Sequence, residues 1–495
     1  MTIPFAHIPS NIRVPLFYAE VTNSQANTEQ AQQRALIIGQ ITSAGTAVPG
    51  IPLISQGAVD AQTKGGVNSQ LASMVSAYRA VDSFGELWYL PLSDDGSSSA
   101  AVGSFSFTAA ATAAGVLSFY LAGQLYSLPV ATTQTTTQLA TALAALINAN
   151  TASPVVATSA VGMVTLTAVN KGLCGNDIDI RVNYLGTAGG EATPTGLTYT
   201  ISAMAGGLVN PVAGLTSALA NLGTQTFDFV ICPFTDSASL TAIQTFLNDS
   251  TGRWSYAQQL YGHLFTALRG TFGALITAGA LQNNQHTSIF GFYDSPTPEW
   301  VWAATYGAAA ATSLRNDPAL PLQTVQLPGL LPPPLQSQFP LTERNSLLYG
   351  GISTFTVQPG GIVAIENIIT TYQFNAFGAP DNSYLQVETM FTLMYVLRDM
   401  MGVVTSKYAR MKLAANGTKF AAGSSIVTPN IIRAELIAEY TALEYQGLVQ
   451  NSAAFAAGLI VQQNTSNPNR VDVLWDGVLI DQLRIFAALF QFRLI

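Results

Sequence analysis

Charge is what this sequence has least of. Asp, Glu, Lys and Arg make up only 9% of its 495 residues, where ordinary soluble domains carry about a quarter. A compact monomer of this length exposes roughly 17,000 Å², which leaves about 380 Å² for each charge. Well-behaved surfaces are charged at about a quarter to a third of their residues. A chain this sparse is expected to bury much of its surface against further copies, although Ser, Thr, Asn and Gln can supply polarity instead. The 19 basic and 27 acidic residues leave a net charge of −8 and a pI near 4.9, which speaks against a general affinity for nucleic acid phosphates.

Histidine and cysteine are scarce as well. His7, His263 and His286 are scattered, with no Cys or second His at metal-ligand spacing, and lone histidines are more often structural than catalytic. Cys174 and Cys232 cannot form the disulfide framework of a small secreted domain; two buried free thiols in a reducing compartment are expected. No P-loop, zincin, nucleophile-elbow or dinucleotide pattern occurs, so no catalytic residue, metal or cofactor is expected. The nearest approach to paired carboxylates is Asp94/Asp95 and Asp177/Asp179. Both pairs sit in Gly- or Asn-rich turns and are expected to be solvated, a calcium site being the alternative, though neither completes a calcium loop. Mean hydropathy is +0.31, yet no run of about eighteen apolar residues exists to span a membrane. The opening MTIPFAHIPSNIR lacks the charged and apolar regions of a signal peptide. The expectation is a soluble protein made and kept in a cytoplasm.

What the chain does contain is organised. Residues 96–170 and 192–227 hold no charged side chain at all, and the Ser/Thr/Ala/Gly-rich block 96–207 reads as an inserted β-rich domain. Within it, Leu117, Phe119 and Leu121 alternate ahead of Gly123 and the run Leu125–Leu128, a hairpin pattern. Leu139, Leu143, Leu146 and Ile147 then recur at helical spacing, with Thr136 or Thr137 as N-cap. Strand periods follow at Val164–Ala168 and Ile178–Val182.

Around the insertion, residues 31–95 and 208–310 alternate short apolar runs (Ala35–Ile38, Phe227–Ile231) with helical patterns near 67–82 and 238–248. Such alternation indicates an α/β layer, so the fold class is mixed α/β and α+β. Seven prolines within 317–342 forbid regular helix or central strand, and the interspersed leucines favour an extended connector lying on other protein over a disordered linker. Tyr384–Met401 reads as a helix with Leu385, Met390, Phe391, Met394 and Leu397 towards a core. A second helix opens at Thr428-Pro429 and runs to about Tyr445. The boundaries expected are an N-terminal arm 1–30, core 31–95, insertion 96–207, core 208–342, a C-terminal domain 343–468 and a C-terminal arm 469–495.

Two features bear on partners. Arg398, Lys407, Arg410, Lys412 and Lys419 face a single acid, Asp399, which makes either a solvated helix face or a docking surface for an acidic partner. Both chain ends alternate apolar residues without a local hairpin partner: Ile12, Val14, Leu16 and Tyr18 at one end, Val471, Val473 and Trp475 followed by Gln482–Leu494 at the other. Such strands must pair somewhere, with their own sheet or with a neighbour's open edge.

The segments PSNIRVPLFYAEVTNSQA (9–26), DPALPLQTVQLPGL (317–330), ERNSLLYGGISTFTV (343–357), ENIITTYQFNAFGAPDNSYLQVET (366–389) and NRVDVLWDGVLIDQLRIFAALFQFRL (469–494) resemble the contractile tail sheath proteins of phage Mu and its relatives. Asn367 departs from the Arg that many relatives carry. The resemblance implies a structural, non-enzymatic virion subunit assembled in the host cytoplasm. Its copies would form stacked hexameric rings around a tail tube protein, with baseplate and tail terminator proteins as further partners, and would contract to drive the tube through the host envelope. No cofactor, nucleic acid or membrane insertion is implied. It further implies strand exchange between subunits by Ile12, Arg13, Val14, Leu16 and Tyr18 at the N-terminus and by Leu483, Ile485, Phe486, Leu489 and Phe490 at the C-terminus, with the insertion facing outward. The basic stretch, Arg398, Lys407, Arg410, Lys412 and Lys419, becomes a candidate for tube docking. Another self-assembling shell, a capsid or surface layer, is the alternative; a hydrolase is the third reading.

Overall fold

A computed structural model describes residues 33–494. Its centre is an eight-stranded sheet in the order Ile362–Asn367, Ile352–Gln358, Thr287–Phe292, His263–Arg269, Phe229–Ile231, Ala35–Gln40, Leu87–Leu92, Leu53–Ile54. The six inner strands are parallel and only the two outermost run antiparallel. Every residue of Ala35–Gln40 is buried, as expected where a parallel strand is covered on both faces and needs a continuous apolar run. The expected α/β layer is therefore present, as are its helices at Gln70–Val81 and Ser237–Leu247.

The helix Glu299–Asn316 lies across the strands His263–Arg269 and Phe229–Ile231 and against the helix Gln70–Val81. Its run of small residues permits close approach: a Cβ on Gly307 would stand 2.7 Å from Ile231 Cγ1. The proline-rich connector is extended and rests on its own chain. Thr324 N and Leu327 N donate to Ile365 O and Val363 O at 2.7 and 2.8 Å, which covers the edge of the strand Ile362–Asn367. Leu322, Leu327 and Leu330 are buried beneath it, whereas Leu320 is exposed.

Residues 102–205 form two antiparallel sheets. One has the order Thr198–Ala205, Val102–Ala109, Met163–Ala168, Val155–Ala160; the other Gln124–Val130, Gly115–Leu121, Ile180–Val182. The hairpin turns at Ala122 and Gly123, both at positive φ, the conformation a two-residue loop between twisted strands demands. The helix Thr136–Ala149 is capped by Thr135, not by Thr136 or Thr137. The Thr135 side chain accepts from Gln138 N while the Gln138 side chain accepts from Thr135 N, so the third residue of the capping box selects among three adjacent threonines. A bridge between Ser99 and Leu208 closes this excursion.

In the C-terminal part the helix expected over Tyr384–Met401 spans Val387–Tyr408. Met390, Phe391 and Met394 are buried, whereas Leu397 is partly exposed. The helix passes through Gly402 because its far half packs Tyr395, Met400 and Tyr408 on a second buried cluster, and packing outweighs the roughly 1 kcal/mol that glycine costs a helix. That cluster is built by Ile432, Leu436, Tyr440 and Leu443 of the helix Pro429–Tyr445, together with Phe455, whose ring stacks on Tyr440 at 3.8 Å. Two short antiparallel ribbons flank it, Val449–Gln450 with Val478–Leu479, and Ile460–Gln463 with Val471–Leu474.

Candidate functional site

The titratable groups singled out from the sequence are consumed by the fold. His263 Nε2 lies 2.8 Å from Ser288 Oγ inside the sheet, and burial holds its pKa well below the ordinary imidazole value. His286 stacks on Trp254 and pairs with Asp249 at 2.8 Å. Cys174 and Cys232 are buried free thiols, and burial pushes Cys232 up to about 12. His7 lies outside the described residues.

Of the two carboxylate pairs only Asp95 sits in the solvated turn expected, accepting from Ser97 N at 2.8 Å; Asp94, Asp177 and Asp179 are engaged by the fold. Asp94 accepts from Gln40 Nε2 at 2.7 Å, Asn170 Nδ2 at 3.2 Å and Lys171 N at 3.1 Å. Asp177 is buried, pairs with Arg269, and accepts from Glu299 N at 2.6 Å. It thereby caps the helix Glu299–Asn316, whose own N-cap, Pro298, offers no side-chain acceptor. Asp179 and Asp294 share Arg181. Burial, reinforced by the Asp177 charge, raises Glu299 well above the usual carboxylate range. Asp94 meets partners 54 to 77 residues away, and the Asp177–Arg269 and Arg181–Asp294 pairs span 92 and 113 residues, so no local spacing foretells them.

The basic stretch is divided by the fold. Arg398 is not free for docking: its guanidinium engages the fully buried Asp228 and Leu260 O, the latter at 3.2 Å, beneath the Tyr261 ring. Lys407 bonds to Glu435 on the neighbouring helix. Arg410, Lys412 and Lys419 are exposed, and among the described residues no carboxylate pairs with them. Asp399 faces Glu439; burial, then the charge and hydrogen bonding of Glu439, push it up to about 6.

The C-terminal end exposes a run of large apolar side chains. Among the described residues no ladder partner meets Gln482–Leu494, and it is not a strand there. Leu483, Ile485, Phe486, Leu489 and Phe490 are 70–89% exposed, and burying one such side chain is worth about 1.5–3 kcal/mol. Close by in the sequence, the ribbon Ile460–Gln463/Val471–Leu474 has only two strands, with Ile460, Val473 and Leu474 exposed. Both of its outer edges are unpaired among the described residues, and a two-stranded ribbon is marginal by itself. Ile12, Arg13, Val14, Leu16 and Tyr18 lie outside the described residues.

A model of the phage tail sheath protein central domain matches residues 210–371, and one of the phage tail sheath C-terminal domain matches residues 379–493. The Mu-like prophage FluMu tail sheath protein of Haemophilus influenzae is 41% identical over 496 residues, covering 100% of both chains. Among solved structures, the sheath tail protein of Desulfitobacterium hafniense is 12% identical with a TM-score of 0.49, over 95% of this chain and 97% of that one. A chain of the anti-feeding prophage baseplate in its contracted state is 11% identical with a TM-score of 0.48, over 97% and 98%.

Proposed function

Because the chain belongs to the phage tail sheath family and is a structural component of the virion tail, we propose that it polymerises as stacked hexameric rings around a tail tube and contracts to drive that tube through the host envelope. The observation that carries this reading is the exposed apolar arm 485–494, in a chain that also carries a ribbon with both outer edges unpaired among the described residues. An extended segment adds to an open edge through many backbone hydrogen bonds that must break together, while its flexible root lets the globular body turn. Ile485, Phe486, Leu489 and Phe490, with Leu483 at their root, form the C-terminal lent strand. The alternation Ile12, Val14, Leu16, Tyr18, with Arg13 between, suits the N-terminal one. Contraction needs no nucleotide: the extended lattice is a metastable state that re-packs at subunit interfaces.

Lys407, Arg410, Lys412 and Lys419 are the docking residues for an acidic face of the tube. Arg398 is withdrawn from that set because it is held inside the subunit. The block 96–207 faces outward. The baseplate and a tail terminator bound the polymer, and assembly takes place in the host cytoplasm.

Electron microscopy of the purified chain over rising concentration tests the reading. Hollow striated tubes with sixfold end views are expected, and deletion of residues 1–20 or 485–494 should leave folded monomers that no longer polymerise. Particles of constant small size would overturn it.

A further inference from the structure

The arm does not leave its subunit gradually. Val478–Leu479 is paired with Val449–Gln450; Ile480 N donates to Leu448 O at 3.1 Å; the Asp481 carboxylate accepts from Gln450 Nε2 at 3.1 Å; Leu483 O accepts from Gln323 Nε2 at 3.2 Å. The last attachment is Arg484, whose Nη2 stands 2.5 Å from Oε2 of the fully buried Glu388. From 485 to 494 every side chain is exposed. Glu388 is itself a junction. It sits in the first turn of the helix Val387–Tyr408, and its Oε1 accepts from Leu322 N of the proline-rich connector at 2.8 Å.

We propose that the Arg484–Glu388 pair is a latch fixing the point at which the C-terminal arm departs. Only the residues after Arg484 are then lent, and pull on them enters the subunit at the start of the helix Val387–Tyr408 and at Leu322. This rests on the strand-lending reading above. An ion pair suits a latch better than an apolar contact. Apolar contacts slide, whereas removing one member of a buried pair strands the other. A buried pair is also little screened by salt, and the helix N-terminus favours the Glu388 charge. By hydrogen-bond geometry neither Oε2 of Glu388 nor any of the three guanidinium nitrogens of Arg484 finds a partner among the described residues, so the latch is held by the proximity of two opposite charges alone and can be sprung. Downstream of it, the eleven residues 485–495 reach roughly 37 Å when extended, which sets how far a neighbour's open edge can lie.

Amide hydrogen exchange on the unpolymerised full chain, with subunit loss from tubes on dilution, tests the latch. Arg484→Met is expected to speed exchange at 480–484 at least tenfold, to leave 35–40 unchanged, and to speed subunit loss about tenfold. The double variant Arg484→Met with Glu388→Gln, which leaves no buried charge unpaired, should do the same and serves if the single variant does not fold. Exchange and subunit loss at the parent rates would overturn the latch while leaving strand lending intact. Deletion of 485–494 reads the other premise: tubes that still form would remove strand lending and the load path with it.

Discussion

Arg398 and Arg410 belong to one basic stretch in the sequence and have opposite fates. Arg398 is paired with Asp228, 170 residues away, whereas Arg410 is exposed and has no carboxylate partner among the described residues. Arg398→Ala is therefore expected to lower unfolding stability by about 3 kcal/mol, the cost of stranding a buried carboxylate, read as a fall in the urea midpoint. Asp399 gives a second test. Its carboxyl is pushed up to about 6 beside Glu439, so more protons are bound folded than unfolded between about pH 4 and 6. The stabilisation from that proton is complete below about pH 4 and is lost as pH rises through about 6. Asp399 is only half buried, so solvent screening reduces the effect to about 1 kcal/mol. Asp399→Asn should gain about that much at pH 7.5 and nothing at pH 4, by thermal melts; a gain equal at both pH values would exclude the carboxyl pair as its cause.

At the scale of elements, the block 96–207 stands out in the sequence by its scarcity of charge, but its contacts with the rest of the chain do not. Asp177 reaches out of that block to cap Glu299–Asn316 and to neutralise Arg269, so insertion and core are braced together. Asp177→Asn should cost about 3 kcal/mol and lower the Tm of the whole chain in one transition. Two separated transitions would show that the block melts independently. The strand Ala35–Gln40 and the helix Pro429–Tyr445 were readable because apolar runs, a Pro at the first helical position and caps are local signals. The helix end at Tyr408 was not, since Gly402 looks like a stop until the packing of Met400 and Tyr408 is known.

For the whole molecule, charge that is rare must be placed where it acts. Reversing Arg410, Lys412 and Lys419 to Glu should alter stability by less than about 0.5 kcal/mol, as expected of exposed sites, and should leave self-assembled tubes intact in electron micrographs. Co-sedimentation of the variant with assembled tail tubes is expected to fall more than tenfold; undiminished co-sedimentation would remove the docking assignment.

By itself the sequence determined the α/β rhythm, the charge-poor block, the extended connector and the apolar C-terminal end, because each rests on periodicity, proline or composition within a few neighbouring residues. Long ordered segments also carried the family. Only the tertiary structure decided which basic residues are spent inside the subunit, that Asp177 braces the insertion, and that the arm becomes free after Arg484. Those outcomes depend on partners brought together from distant parts of the chain, where burial turns a charge from a solvated ornament into a contact that must be matched.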